Sequence, residues 1–179
     1  IAHGDEAVPP EVAARFDALA RRRRELGEPL AYLMGHREFH GREFEVGPAV
    51  LIPRSETEQL VELALAHAGA DTPFPTRVLD LGTGSGCIAI TLACLRPDWT
   101  LVATDRSSEA LAVARRNAER LCPQALAAGR LELRQGRWWD AVPAGERFTL
   151  VLSNPPYIAR RDPHLQRGDL RFEPREALV

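Results

Sequence analysis

Residues 78–95 are VLDLGTGSGCIAITLACL, and this stretch decides the fold. It begins with an apolar run at 78–81 that predicts a buried strand. A loop with three glycines follows at 82–86, and an apolar stretch of helical length ends near Leu95. Glycine accepts positive φ and lets a ligand approach the backbone, and a helix N-terminus presents free N–H groups. The stretch therefore predicts a strand, a ligand-binding loop and a helix in succession.

Beyond this stretch, predicted strands alternate with predicted helices. Short apolar runs at 100–104, 131–133 and 148–152 indicate three further strands. Ser107 is placed to cap a helix that ends near Leu121. Such alternation is typical of a mostly parallel sheet with right-handed crossovers, so the predicted fold class is α/β.

The first part of the chain has a different pattern. Apolar residues at helical spacing after Pro10, ended by Gly27, predict a helix. Residues 37–52 alternate around a glycine-containing turn and predict a β-hairpin. Ser55 and Glu58 then have the spacing of a capping box at the start of another helix.

Composition narrows the functional classes. The chain has 179 residues, of which 45% are hydrophobic and 27% charged, as in ordinary globular proteins. Its net charge of −2 argues against a dedicated nucleic-acid binder, which usually carries a basic excess. No run approaches the ~18 apolar residues of a membrane span, so we expect no membrane partner. The three cysteines fit reduced thiols of a cytoplasmic protein, and the five histidines lack metal-ligand spacing, so no metal site is predicted.

The tetrapeptide Asn154-Pro155-Pro156-Tyr157 follows the last predicted strand. It should therefore lie at the carboxyl end of that strand, where open α/β sheets bind ligands. An asparagine side chain offers one carbonyl acceptor and two N–H donors, and successive prolines fix φ while their carbonyls stay free to accept. A rigid, acceptor-rich turn beside an aromatic ring suits a planar NH₂ group. We interpret it as part of a group-transfer enzyme that acts on an amide or amino nitrogen.

The glycine loop alone does not identify a cofactor. The spacing of Gly84 and Gly86 also matches a dinucleotide site, in a frame that starts two residues late. Asp105 ends the second predicted strand about 20 residues beyond the loop, where an acidic residue contacts ribose in nucleoside-binding α/β folds. Trp138 and Trp139 follow the third strand and could cover an adenine ring, although such aromatics also suit a plain core.

Three segments resemble the class I S-adenosylmethionine-dependent methyltransferases, and within them the release-factor glutamine N5-methyltransferases (HemK/PrmC type). The segments are residues 29–39 continuing to 52–54, residues 80–86, and residues 154–157 with 162–165. The first is specific to this branch, the glycine loop is common to many methyltransferases, and the Asn-Pro-Pro-Tyr turn is shared with amino-methyltransferases of DNA and RNA. Two positions depart from the family pattern. Arg137 stands where an acidic residue is usual, and Ser55-Glu56 replaces the commoner Pro-Asp.

The resemblance implies S-adenosyl-L-methionine as cofactor and a peptide-chain release factor, methylated at the Gln of its Gly-Gly-Gln loop, as protein substrate. The implied cofactor-binding residues are Gly82, Thr83, Gly84, Ser85, Gly86, Asp105, Trp138 and Asn154. The implied substrate-binding residues are Asn154, Pro155, Pro156 and Tyr157. Among these, Asn154, Pro155 and Tyr157 are the candidate catalytic residues. We expect a monomer that does not use nucleic acid as its substrate.

On the basis of this resemblance, we divide the chain into three parts. Residues 1–36 are predicted to be a partial helical region that docks the substrate, and residues 37–76 a hairpin with a connecting helix and linker. Residues 77–179 are predicted to be the S-adenosylmethionine-binding domain, with a Rossmann-like sheet. We expect this domain to be incomplete, because its last apolar strand would otherwise be an exposed sheet edge of the kind proteins normally cover.

Three other functions remain open from the residues alone. A methyltransferase acting on an exocyclic amine of adenine or guanine would use the same turn, but would favour a basic channel with stacking aromatics. An NAD-dependent oxidoreductase is suggested only by the offset glycine spacing and leaves the turn at 154–157 unexplained. The third possibility is a non-catalytic piece that merely folds.

Overall fold

The computed structural model describes residues 8–67 and 75–179. The predicted linker at 71–76 lies mostly outside the described residues. The helices within them are α1 (Pro10–Arg21), α2 (Leu30–Met34), α3 (Glu58–His67), α4 (Cys87–Leu95), α5 (Ser108–Leu121), α6 (Pro123–Ala127) and α7 (Arg175–Leu178). The strands are β1 (His36–Phe39), β2 (Arg42–Glu45), β3 (Arg77–Leu81), β4 (Thr100–Asp105), β5 (Leu131–Gln135) and β6 (Leu150–Ser153). Short 3-10 turns cover 55–57, 138–141, 163–166 and 168–172.

The larger sheet of the described residues has strand order β5-β4-β3-β6, and all its neighbouring strands are parallel. The chain moves outward from β3 through β4 to β5 and then returns to place β6 on the other side of β3. The strand order therefore reverses between β3 and β6, and ligands of open α/β sheets bind outside the carboxyl ends of strands at such a switch point. The α/β prediction is confirmed.

The core lies between this sheet and helices α3, α4 and α5. Val78 of β3 and Leu101 of β4 are fully buried in this core, whereas Leu79 is buried on the opposite face of the sheet, where Val142 and Phe148 pack. Residues 87–93 of α4 are buried on every side, because α4 packs against α3, α5 and the sheet. At the edge strand β6, Val151 stays exposed.

The hairpin is confirmed but is shorter than predicted. It turns through His40 and Gly41, both at positive φ (50° and 71°), which is the geometry of a two-residue hairpin turn. Phe39 and Phe44 pack edge-to-face across the pair, with ring centroids 6.0 Å apart. The strand ends at Glu45, and the rest of the alternating pattern to residue 52 forms a loop whose apolar side chains are buried.

The predicted capping box is wrong. The 3-10 turn at Ser55 begins without a side-chain cap, and the Ser55 hydroxyl contacts Glu56 instead. Glu58 is used elsewhere: its Oε1 accepts the backbone N–H of His40 at 3.0 Å. The carboxylate thus ties the hairpin turn to α3, a tertiary contact that outcompetes the local one.

The N-terminal helix is confirmed from Pro10 and continues as one π-helical turn before Gly27 ends it at φ 73°. Its end is held by the C-terminal segment. Arg23 Nη1 lies 3.0 Å from Asp169 Oδ1, and Arg171 Nη2 donates to the Leu26 carbonyl. The 3-10 turn at 168–172 therefore packs against the end of the N-terminal helix.

Candidate active site

The glycine loop at 82–86 is anchored to β4 on one side and has open space on the other. The amides of Gly82 and Thr83 both donate to the Thr104 carbonyl at 2.9 Å, which anchors the loop to β4. At Gly86, where φ is 83°, a Cβ atom would lie 2.5 Å from Ile90 Cδ1. At Gly82 and Gly84, which also have positive φ, a Cβ would meet nothing within 4 Å. The loop therefore presents bare backbone toward the space beyond the carboxyl edge of the sheet.

Asp80, just before the loop, is a buried carboxylate with an incomplete set of partners. It is 1% exposed, and its Oδ2 accepts the Thr83 hydroxyl at 2.6 Å. Its Oδ1 has no hydrogen-bond partner among the described residues. Burial raises the pKa of Asp80 to about 6; the hydrogen bond from Thr83 and the nearby Ala89 amide oppose that rise, and the charge of Asp105 adds to it. A buried charge is costly, and a positively charged ligand at the loop would offset that cost through space, since the Asp80 side chain is shielded from solvent.

Asp105 lies at the carboxyl end of β4 and organises two loops at once. Its Oδ2 accepts the Gly84 amide and its Oδ1 the Ser107 amide, both at 2.9 Å. Ser107 in turn caps α5, as predicted, by accepting from the Ala110 amide at 3.1 Å. Each carboxylate oxygen keeps a further lone pair, so Asp105 can hold the loop and still accept from a ligand hydroxyl.

Trp138 and Trp139 are surface residues of a 3-10 turn rather than core aromatics. They are 47% and 56% exposed. Trp138 has φ 52°, an unusual value for a bulky residue. The Gly136 amide donates to the Asp105 carbonyl at 3.0 Å, which attaches this segment to the end of β4.

The turn at 154–157 stands next to the glycine loop because Ser153 pairs with Leu81 across β6 and β3. The Ser153 hydroxyl donates to the Leu81 carbonyl at 2.9 Å, and Asn154 Nδ2 donates to Thr57 Oγ1 at 3.1 Å. Beyond Asn154 the turn projects into solvent, and Tyr157 is 81% exposed. The turn is therefore anchored at its base and open at its tip.

A pocket of about 130 Å³ lies against this turn. It is lined by Leu51, Arg54, Asn154, Pro155, Tyr157, Ile158, Leu170, Ala177 and Leu178. Arg54 Nη2 lies 2.6 Å from Glu173 Oε1, and the Glu173 side chain is fully buried with its Oε2 unpartnered among the described residues. Burial raises the pKa of Glu173, and the Arg54 charge opposes that rise. The pocket thus has apolar walls, a guanidinium and the Asn154 amide at its rim.

The structure brings most predicted site residues to one edge of the sheet. Residues 82–86, Asp105 and Asn154 follow the adjacent strands β3, β4 and β6, and Trp138 joins them through Gly136. Pro155, Pro156 and Tyr157 extend outward from that edge.

Sequence reasoning missed three groups that shape the site. Thr57 orients Asn154, the buried Glu173 holds Arg54, and Asn117 of α5 donates to the Ser85 carbonyl at 2.9 Å. Only Asn117 left a signal, because it is a polar residue on the apolar face of an amphipathic helix. Thr57 and Glu173 lie far along the chain from their partners.

Residues 8–67 and 75–179 contain no group of three His, Cys, Asp or Glu side chains that could hold a metal ion. In the same ranges, no helix has both the length and the apolarity needed to cross a bilayer.

Comparison with known proteins places this site in a family. The family model described as "Methyltransferase small domain" matches residues 59–168, which contain the glycine loop and the turn at 154–157. The chain belongs to the methyltransferase small domain family. A second model, "PrmC N-terminal domain", matches residues 1–35.

Relatives within the family cover the whole of this chain. It is 54% identical over 180 residues to the "Release factor glutamine methyltransferase" of Burkholderia pseudomallei, and covers 62% of that protein. It is 48% identical over 179 residues to the protein of that name from Escherichia coli, and covers 61% of it. The chain thus spans about three fifths of the length of these curated relatives.

Solved structures support the fold at lower identity. The "delta-N METTL16 MTase domain" matches with a TM-score of 0.52 at 20% identity, over 86% of this chain and 63% of that one. The hMettl16 catalytic domain solved with an RNA hairpin matches with a TM-score of 0.52 at 15% identity, over 93% of this chain and 55% of that one. At these identities the similarity concerns the methyltransferase fold alone.

Proposed function

We propose that this protein transfers a methyl group from S-adenosyl-L-methionine to the side-chain amide nitrogen (N5) of a glutamine in a protein. The substrate we propose is the Gly-Gly-Gln loop of a peptide-chain release factor. The observation that carries the proposal is the position of Asn154, which sits at the switch point beside the open glycine loop and on the rim of the small pocket. The names of the relatives and the match to the "PrmC N-terminal domain" support the choice of substrate.

The residues at the carboxyl edge fit the proposed cofactor. The unpartnered Asp80 Oδ1 lies in the strand that leads into the loop, and a ligand with positive charge would compensate its burial. The open faces of Gly82 and Gly84 leave room for a ligand against the backbone. Asp105 has lone pairs for ribose hydroxyls, and the exposed Trp138 offers an aromatic face for adenine. Thr83, Ser85, Gly86 and Asn154 complete the proposed set.

The pocket by the turn fits a single side chain. A pocket of about 130 Å³ is smaller than the ~300–1,000 Å³ of typical small-molecule sites, and it suits one extended glutamine better than a flipped nucleotide. Apolar walls would pack the methylenes of that side chain, while its carboxamide would meet the polar rim at Asn154 and the Pro155 carbonyl. Tyr157 and Pro156 would cover it from the solvent side.

The proposed mechanism rests on positioning. When bound, the cofactor supplies an electrophilic methyl group on a sulfonium. An amide nitrogen is a poor nucleophile because its lone pair is shared with the carbonyl. Since Asn154 Nδ2 donates to Thr57, its Oδ1 is turned to accept one substrate N–H, and the Pro155 carbonyl accepts the other. These two acceptors orient the nitrogen for in-line attack and stabilise the positive charge that grows on it. The C–N bond would form as the methyl–sulfur bond breaks and leaves a neutral thioether, and the nitrogen would then release its proton to solvent.

A radiolabelled-methyl assay tests the proposal. The full-length protein is offered a release factor, the same factor with its Gly-Gly-Gln glutamine changed to alanine, duplex DNA and ribosomal RNA in parallel. We expect label only in the release factor that keeps this glutamine. Label confined to nucleic acid would instead support an amino-methyltransferase, the second candidate, which uses the same kind of turn. Gel filtration of the same preparation tests the further proposal that the protein is a monomer.

A further inference from the structure

The hairpin β1–β2 and the glycine loop are linked by one buried side chain. Asn117 of α5 is completely buried, and its side-chain amide has backbone partners in both the hairpin and the loop. On the hairpin side, its Oδ1 accepts the Glu45 N–H at 2.7 Å and its Nδ2 donates to the Glu45 carbonyl at 3.0 Å. On the loop side, Nδ2 donates to the Ser85 carbonyl at 2.9 Å.

This arrangement uses the full donor capacity of the amide. Both hydrogens of Nδ2 are donated to carbonyls, one in the hairpin and one in the loop. Oδ1 also accepts from Arg120 Nη2 at 3.3 Å. A buried amide whose partners lie on two separate segments holds those segments at a fixed distance, because losing either partner leaves a buried polar atom unsatisfied. Two further ties join the hairpin to α5: Arg116 with the Glu45 carboxylate at 2.7 Å, and Arg120 Nη2 with the Glu43 carbonyl. Both are exposed, and neither reaches the loop.

We propose that Asn117 is a positioning residue through which the hairpin sets the conformation of the cofactor loop at Ser85. Hairpin docking and cofactor binding are then coupled, so each stabilises the other. The inference rests on the proposed role of residues 82–86 in binding S-adenosyl-L-methionine. It adds that the hairpin contributes to cofactor affinity without touching the cofactor.

A matched pair of hairpin variants separates the backbone contact from the ion pair. Glu45→Ala removes the carboxylate that pairs with Arg116 but keeps the N–H that Asn117 accepts. Glu45→Pro removes both, because proline has no backbone N–H. We expect Glu45→Pro to raise the Kd for S-adenosylhomocysteine about three- to tenfold, the loss expected for one buried hydrogen bond. We expect Glu45→Ala and Arg116→Ala to stay within twofold of wild type.

The measurement is calorimetric titration of the full-length protein with S-adenosylhomocysteine, with thermal unfolding alongside. A general loss of stability would lower the Tm of all three variants without separating their Kd values. Equal Kd values for Glu45→Pro and Glu45→Ala overturn the inference. If the wild-type protein fails to bind the ligand at all, the proposed cofactor is wrong, which is a different result.

Hydrogen exchange supplies a readout that needs no variant. We expect S-adenosylhomocysteine to slow exchange of the Glu45 amide at least threefold, because ligand bound at the loop favours the state in which Asn117 holds both segments. The amide of Arg37, on the other strand of the hairpin, is the internal control. If the Glu45 amide exchanges at the same rate with and without ligand, while the Gly84 amide becomes protected, the coupling is absent.

Discussion

The glycine loop at 82–86 and the turn at 154–157 follow neighbouring strands, yet they are held very differently. The loop is tied from behind by the Thr104 carbonyl, the Asp105 carboxylate and the Asn117 amide. The turn is fixed at its base by Ser153 and Asn154, and its tip is exposed. A small cofactor requires a preformed site, since it contributes little surface of its own. A protein substrate can complete the site with its own contacts.

The largest expected effect comes from the turn. Asn154→Ala removes the acceptor that orients the substrate amide, so we expect methyl transfer to fall about 10²–10³-fold, while the Tm stays near wild type and the cofactor Kd rises far less than the rate falls. Single-turnover transfer to a release factor gives the rate, and calorimetry gives the cofactor Kd. A variant with near-normal turnover would remove Asn154 from the mechanism.

The variant Asp80→Asn tests the glycine-loop region, because it keeps the shape of the side chain and removes its buried charge. Burial raises the pKa of Asp80 from 3.8 to about 6, so the folded state binds a proton more tightly than the unfolded state does. The contribution of Asp80 to the free energy of unfolding should therefore fall by about 3 kcal/mol as the pH rises from about 4 to about 6, and stay level above that.

Urea unfolding at several pH values measures this difference directly. We expect Asp80→Asn to be the more stable protein at pH 7 and to match wild type near pH 4. We also expect it to bind S-adenosylmethionine more weakly, because that ligand carries a sulfonium charge and the variant lacks the negative charge of Asp80. A wild-type stability that does not decline relative to the variant across this interval would contradict the assignment.

A smaller effect is expected at the hinge between loop and helix. Gly86→Ala must place a methyl group 2.5 Å from Ile90 Cδ1 at φ 83°, and we expect a loss of about 1–3 kcal/mol in the free energy of unfolding. Gly145→Ala is the matched control, because it also has positive φ (90°) but open space around the added atom. Equal losses at the two sites would show that backbone strain, not packing behind the loop, sets the cost.

The smallest expected effect concerns Thr57, which contacts the turn at Asn154. Thr57→Val keeps the volume of the side chain but removes the hydroxyl that accepts from Asn154 Nδ2. We expect transfer to slow about two- to tenfold, with most of the change in kcat, because the Asn154 amide is less well oriented. A change confined to KM would mean that Thr57 acts on substrate docking instead.

The sequence predicted the sheet well because its information was local. Strand, glycine loop and helix at 78–95 are adjacent in the chain, and the Ser107 cap needs only the next few residues. The capping box at Ser55 failed because Glu58 found a partner in the hairpin, a contact that no local pattern encodes. Thr57 and Glu173 were missed for the same reason, since each acts on a residue brought near only by the fold.

The late return of β6 to the middle of the sheet has a consequence for synthesis. Ser153 meets Leu81 across 72 residues of chain, whereas β3 and β4 are joined by a single helix. Contacts between distant parts of a chain form slowly, and domains emerge from the ribosome N-terminal end first. The strands β3 to β5 and the glycine loop can therefore assemble while translation continues, and the proposed transfer site is completed only once β6 has been delivered. A nascent chain halted before β6 would contain the proposed cofactor loop but lack the turn at 154–157.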